Sequence, residues 1–254
     1  TVILPSLTVK GRSNGDRDTI GSFARNFNNA EESKTLKTHR TWNTLVHPRD
    51  IDETNHVASI QNITKVMNEE QKFPEMDAEM ITALYSLKNA LEAVSEDDVL
   101  TAANVLTKFD KMMDKMDEKR VPGSGRLLYV DTYTKTLIDT AKDVVRTSGN
   151  SVLGRTVSRI DEVEVINVPT SVMKSKFNLK ADDGFEVATD AKAVKMMLIH
   201  PSVVIPVITY DFAELGLPSA LSQGKYTYFE ESFEDVFIYN KKHDAIQFYI
   251  EKQS

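Results

Sequence analysis

The chain has 254 residues, 41% of them hydrophobic and 27% charged, with a formal net charge of -7 and no cysteine. Those values belong to a folded chain with a buried core and exclude global disorder. The acidic balance makes a poor phosphate-binding surface, which needs clustered Lys and Arg, and the missing thiols exclude disulfides, thiolate metal sites and cysteine nucleophiles.

No apolar run approaches the roughly 20 residues of a membrane helix. Thr1 to Lys10 lacks the basic-then-apolar order of a signal peptide. The first residue is Thr, as removal of an initial Met or maturation of a longer precursor would leave it.

Residues 1–20 read as irregular, with turn chemistry from Gly11 to Asp16. Two strand-like segments follow, Ser22 to Phe27 and Thr38 to Val46, the second centred on Trp42. Polar Asn28 to Lys34 between them suggests a long hairpin. Such a hairpin has little support from its own neighbourhood, and an isolated one is marginal in water.

The apolar period then becomes helical. Val57, Ile60, Ile63 and Met67 recur at spacings of three and four, with Asp52 or Thr54 as cap. Pro74 is expected to break this helix and open another, whose stripe is Met76, Met80, Leu84, Leu87, Leu91 and Val94. Ser95, with Asp98 three residues on, reads as the start of a third helix. Its stripe is Val99, Ala103, Leu106, Met113 and Met116.

Val121 to Gly125 is a turn. After it come a strand from Arg126 to Val130 and a helix from Tyr133 to about Val145. Strands are expected at Val163 to Val168 and Val194 to Ile199. Two more, Tyr226 to Tyr239 and Ala245 to Ile250, are joined by a turn at Asn240 to Asp244. Helices gather in the first half and strands in the second, an α+β pattern.

The densest polar cluster runs from His47 to His56 and contains Arg49, Asp50, Asp52 and Glu53. A metal site, and with it a metal-dependent enzyme, is one reading. The spacing favours a helix cap with interface ion pairs, because no His pair stands four residues apart around a Glu. Gly123 to Arg126 lacks the Lys-Ser/Thr of a phosphate loop and reads as a tight turn. Met112, Met113 and Met116 read as core. Lys108, Lys111, Lys115 and Lys119, interleaved with acids, read as a solvated helix face. No serine lies in a nucleophile-elbow context.

Four segments in order resemble a branch of the tailed-bacteriophage major capsid proteins. They are Arg49 to Asn55 with Pro74 to Asp77; Val121-Pro122 through Gly125 to Val130 and Tyr133; Gly154-Arg155 to Val168-Pro169; and Met196 to Pro201 with the closing aromatic hairpin through Tyr228, Asp235 and Tyr239 to Lys241. The resemblance runs over about residues 40–250. It implies the α+β Hong Kong 97 fold, with an N-terminal arm at 1–16 and an E-loop hairpin at 17–50. The peripheral (P) domain with its spine helix would be 51–94 and 224–254, and the axial (A) domain 95–223.

The implied function is assembly, not catalysis: pentamers and hexamers closing into an icosahedral shell around double-stranded DNA, without cofactor or metal. Implied partners are further copies, a portal, a scaffold and head-completion proteins. The shell would form in the host cytoplasm and belong to the virion. DNA would be touched at most non-specifically, and no membrane is involved. An encapsulin-type nanocompartment shell is the alternative. The residues expected at subunit contacts are Lys34, Lys37, Arg40, Trp42, Arg49, Asp50, Asp52 and Glu53. Arg40 and Trp42 share a strand face; the resemblance implies that a neighbouring subunit covers it, and packing of Trp42 on the chain's own helices is the alternative. Some family members join a Lys to an Asn covalently, but nothing in this sequence matches that pattern at Lys34 or Lys37.

Overall fold

The computed structural model describes residues 1–12, 25–141, 159–160, 162–180 and 184–252. In chain order these form β1 (Val2–Val9), β2 (Phe27–Lys34), β3 (Thr38–Val46), α1 (Pro48–Glu53), α2 (Ile60–Met67), α3 (Phe73–Leu91) and β4 (Glu96–Asp97). Next come α4 (Val105–Glu118), β5 (Leu127–Asp131), α5 (Thr132–Thr140), β6 (Arg159–Ile160), β7 (Val163–Val168), β8 (Phe177–Leu179) and β9 (Phe185–Val187). β10 (Val194–Ile199), β11 (Val204–Gly216), β12 (Tyr226–Ile238) and β13 (Ile246–Glu251) complete the order. The expected strand at Ser22, the helix end near Val145 and the segment at Gly154-Arg155 fall wholly or partly outside the described residues.

The N-terminal hairpin is not the one expected. β1 pairs antiparallel with β2, Val2 opposite Lys34 and Val9 opposite Phe27. Residues that read as an irregular arm and a polar loop are therefore its two strands. β2, FNNAEESK, is a poor strand former by propensity; the alternating VILPSLTV of β1 gives it a partner, and pairing overrides propensity. β3 instead pairs with β12, Val46 opposite Tyr226 and Thr38 opposite Glu234, in a three-stranded sheet ordered β11-β12-β3. The 13-residue β11 was not foreseen. A bulge between Ile208 and Tyr210 shifts its register on β12.

Pro74 does not end a helix. The backbone stays helical from Ile60 to Leu91, and a π turn over Asn68–Lys72 absorbs the proline. There the N–H of Phe73 reaches back to the carbonyl of Asn68. The wider turn makes room for a residue that has no N–H to give. Ser59, not Asp52 or Thr54, caps this helix by accepting the N–H of Asn62. The third helix starts at Val105, later than Ser95. Glu96 and Asp97 are instead drawn out as a short parallel strand on β13.

The core lies on both faces of a six-stranded sheet ordered β4-β13-β10-β5-β7-β6. β10, VKMMLI, sits near its middle and is apolar on both sides, as a doubly covered strand must be. Met196 and Leu198 meet Phe109, Met112 and Met116 of α4 and Ile138 of α5. Met197 and Ile199 meet Ala78, Ile81 and Leu84 of α3. The methionines at 112 and 116 are thus core. Strands β12 and β13, read as one closing hairpin, belong to different sheets and are joined by a 3-10 turn over Asn240–Ala245. β13 pairs with strands of the 95–199 stretch, and β11 with β12, which in turn pairs with β3.

Candidate assembly surfaces

Alternation along β3 turns Arg40 and Trp42 to one face, as the sequence indicated, but the chain's own helix covers that face. The Arg40 guanidinium donates to both carboxylate oxygens of Glu75 on α3, at 2.6 and 2.9 Å. It also reaches the carbonyls of Lys180 and Gly184, at 2.7 and 3.1 Å. Trp42, half-buried, tilts against Tyr228 at 5.7 Å and lines a groove with Met67, Gln71 and Met76. Within the chain, α3 thus supplies part of the cover of this face. The missing signal was β11 and β12, which lie more than 150 residues downstream of β3.

The other expected contact residues separate into two groups. Lys34 is tied inward: its Nζ donates to Asn240 Oδ1 at 2.8 Å and lies 3.9 Å from Glu32. Lys37 has its backbone N–H on Asp235 and is exposed. Arg49, Asp50, Asp52 and Glu53 are exposed on α1. His47 caps that helix, its Nδ1 accepting the N–H of Arg49. The only His/acid group gathered tightly enough to hold a metal among the described residues lies elsewhere, at Glu92, His243 and Asp244. There Lys88 and Lys119 already pair with the two carboxylates.

Two apolar surfaces are open. The β1–β2 ribbon buries Leu4 and holds on to the 3-10 turn through Glu32, Lys34 and a Lys241-to-Thr8 bond of 3.0 Å. Its opposite face leaves Ile3, Leu7, Val9 and Phe27 52 to 67% exposed. The outer face of the three-stranded sheet carries exposed Leu45 and, in a ladder of ring contacts at 6.4 and 6.2 Å, the exposed Tyr210, Phe212 and Phe229. Contiguous apolar faces next to unpaired strand edges are surfaces a protein covers when it associates.

Between α3 and β12 lies an acidic cluster. Burial pushes the Glu79 carboxyl up to about 6, reinforced by Asp235, Glu234 and Glu75, while the Thr38 hydroxyl donates to it and opposes the rise. Burial also raises Glu234 and Asp77. A raised carboxyl binds protons more readily in the folded chain than in the unfolded one. Stability from Glu79 therefore grows as pH falls from about 6 toward 4.5, and the penalty is in full force above 6. Glu79→Gln keeps the acceptor for Thr38 and removes the charge. We expect it to raise the melting temperature at pH 7 by a few degrees, equivalent to about 1 kcal/mol after solvent screening. The gain should vanish near pH 4.5; a constant gain across that range would show that charge is not its cause.

No protein-family model and no curated protein matches the sequence. Solved structures do match. The capsid of cyanophage P-SCSP1u superposes with a TM-score of 0.71 at 13% identity, covering 100% of this chain and 84% of that one. The mature capsid of bacteriophage PhiM1 gives 0.71 at 12%, covering 99% and 82%. The head structure of Helicobacter pylori bacteriophage KHP40 gives 0.61 at 12%, covering 100% and 85%. The α+β chain thus has the phage capsid fold over its whole length.

Proposed function

We propose that this chain is the coat subunit of a phage head, assembling with further copies of itself into a closed icosahedral shell. The observation that carries this reading is the capsid fold, which spans the entire chain given. The open apolar faces support it, since a closed lattice satisfies every exposed edge. Many weak contacts act together once a subunit is held in a ring.

Within this reading, the β1–β2 ribbon, residues 2–9 and 27–34, belongs to the E-loop. The P domain is residues 38–91 with the β11–β12 hairpin at 204–238. The A domain is the six-stranded sheet with α4 and α5. The subunit acts as a wall, not an enzyme. A portal, a scaffold and head-completion proteins are its further partners, and the virion is its place. With a net charge of -7, DNA contact is non-specific and readily lost in salt. No helix among the described residues is long and apolar enough to cross a membrane.

Negative-stain electron microscopy with light scattering tests this. Rings, tubes or shells are expected from purified protein, alone or with its scaffold. A strict monomer at every concentration, scaffold included, defeats the reading, and a shell loaded with a cargo enzyme favours the nanocompartment instead.

A further inference from the structure

Two exposed features of this chain are each unfavourable in the isolated subunit. The first is Arg120. Helix α4 ends in a full Schellman motif, with Val121 N–H on the Met116 carbonyl at 3.0 Å and Arg120 N–H on that of Asp117 at 2.8 Å. The motif puts the residue after the cap in the left-handed region, where glycine belongs, yet Arg120 stands there at φ 58. A cation near the helix C-terminus does not explain it, because Lys115 and Lys119 serve the dipole without that strain. The guanidinium has no ion pair among the described residues. It lines a pocket with Lys119, Lys241 and Lys242, against which stands a single carboxylate, Asp244. In a chain of net charge -7 this is a strongly cationic spot.

The second feature is α1. Asp52 and Glu53 occupy its last turn, where the dipole is negative and no basic residue lies. With Asp50 they are exposed, and none is paired with a cation among the described residues. The helix is pinned by its own Schellman motif, His56 N–H on the Ile51 carbonyl at 2.7 Å, with both Asn55 and His56 at positive φ. An acidic knuckle without a cation partner and a cationic pocket whose Arg120 guanidinium has no ion pair among the described residues thus sit on the same chain.

We infer that the Arg120 pocket receives the Asp50–Glu53 knuckle of a second copy. The contact is head-to-tail, since the two surfaces differ, and such contacts build rings and lattices. The inference rests on the shell reading above and gives the expected contact residues Asp50, Asp52 and Glu53 their partner. Carboxylates rather than nucleic-acid phosphates are the favoured occupant because the same chain supplies them, rigidly held and unpaired.

Charge exchange tests it. Arg120→Gly relieves the left-handed strain, so the subunit should melt no earlier than the parent, yet need about tenfold more protein to assemble. Arg120→Glu should block assembly, as should Asp52→Lys with Glu53→Lys. All three changes together should restore assembly at least in part. A triple variant that assembles no better than either parent overturns the inference. So does an Arg120→Glu protein that assembles normally but loses retention of duplex DNA at low salt, which would assign the pocket to phosphates. A parent chain that forms no assembly even with scaffold defeats the shell reading itself, a result distinct from failed rescue.

Discussion

Leu7→Asp is expected to leave the subunit folded and to abolish closed shells. Leu7 is 63% exposed on the open face of the β1–β2 ribbon, so in the free subunit a carboxylate there stays hydrated. Substitutions at such positions usually move stability by about 0.5 kcal/mol or less, and circular dichroism and thermal unfolding should be near those of the parent. On the coat-subunit reading the same face is covered in the shell. An unpaired carboxylate buried there costs several kcal/mol per contact, repeated at every copy. Electron microscopy should then show capsomers or free subunits. Normal shells from this variant would mean that the ribbon's apolar face is not a contact. Leu4→Asp is the control: Leu4 is only 6% exposed, so that change should loosen the ribbon itself.

Arg126→Ala should be the most damaging single change to the subunit. The Arg126 side chain is fully buried, although it carries a charge. It donates to the carbonyls of Val121 and Pro122 at 2.6 and 2.9 Å and to Asp117 at 2.6 Å, with Met113 Sδ at 3.4 Å. Truncation strands two carbonyls, empties the volume of a long side chain and frees the turn between α4 and β5. The cavity and the lost charge-assisted hydrogen bonds together cost about 3–5 kcal/mol, a fall of roughly 10 °C for a chain of this length. Asp117→Asn should cost far less, because the Asp117 side chain is 63% exposed and the amide oxygen still accepts. A melting temperature within about 2 °C of the parent after Arg126→Ala would show that the buried guanidinium is structurally idle.

Much of this architecture was legible because it is local. The period of three and four from Ile60 to Leu91, the doubly apolar Val194 to Ile199 and the alternating Val163 to Val168 each declare their element without help from a distant partner. The pairing of strands was not legible. β3 meets β12 across some 190 residues, and β2 is a strand only because β1 lies beside it. The same distance hid the environment of Arg40 and Trp42. Their shared face follows from alternation alone, but what lies opposite depends on α3 and the loop around Gly184. Pro74 misled for the opposite reason: a local rule held, and the backbone answered it with a π turn instead of a break. Of the expected contact residues, those on α1 are exposed because this six-residue helix buries none of its residues, whereas Lys34 and Arg40 are long enough to find partners within the chain.

The helix from Ile60 to Leu91 touches both sheets, the six-stranded one through Ile81 and Leu84 and the three-stranded one through Glu75 and Glu79. At about 1.5 Å per residue it is close to 50 Å long. It is therefore a strut whose two loads are applied at different points along its length. Its ladder of backbone bonds is already one short at Pro74, so flexing it there breaks fewer bonds than anywhere else along the rod. A part that is stiff along most of its length and soft at one marked place converts a small change of angle at one end into a change of curvature between neighbours. In the proposed shell, that soft place would let one sequence fit both the sharply bent and the nearly flat regions of a curved surface.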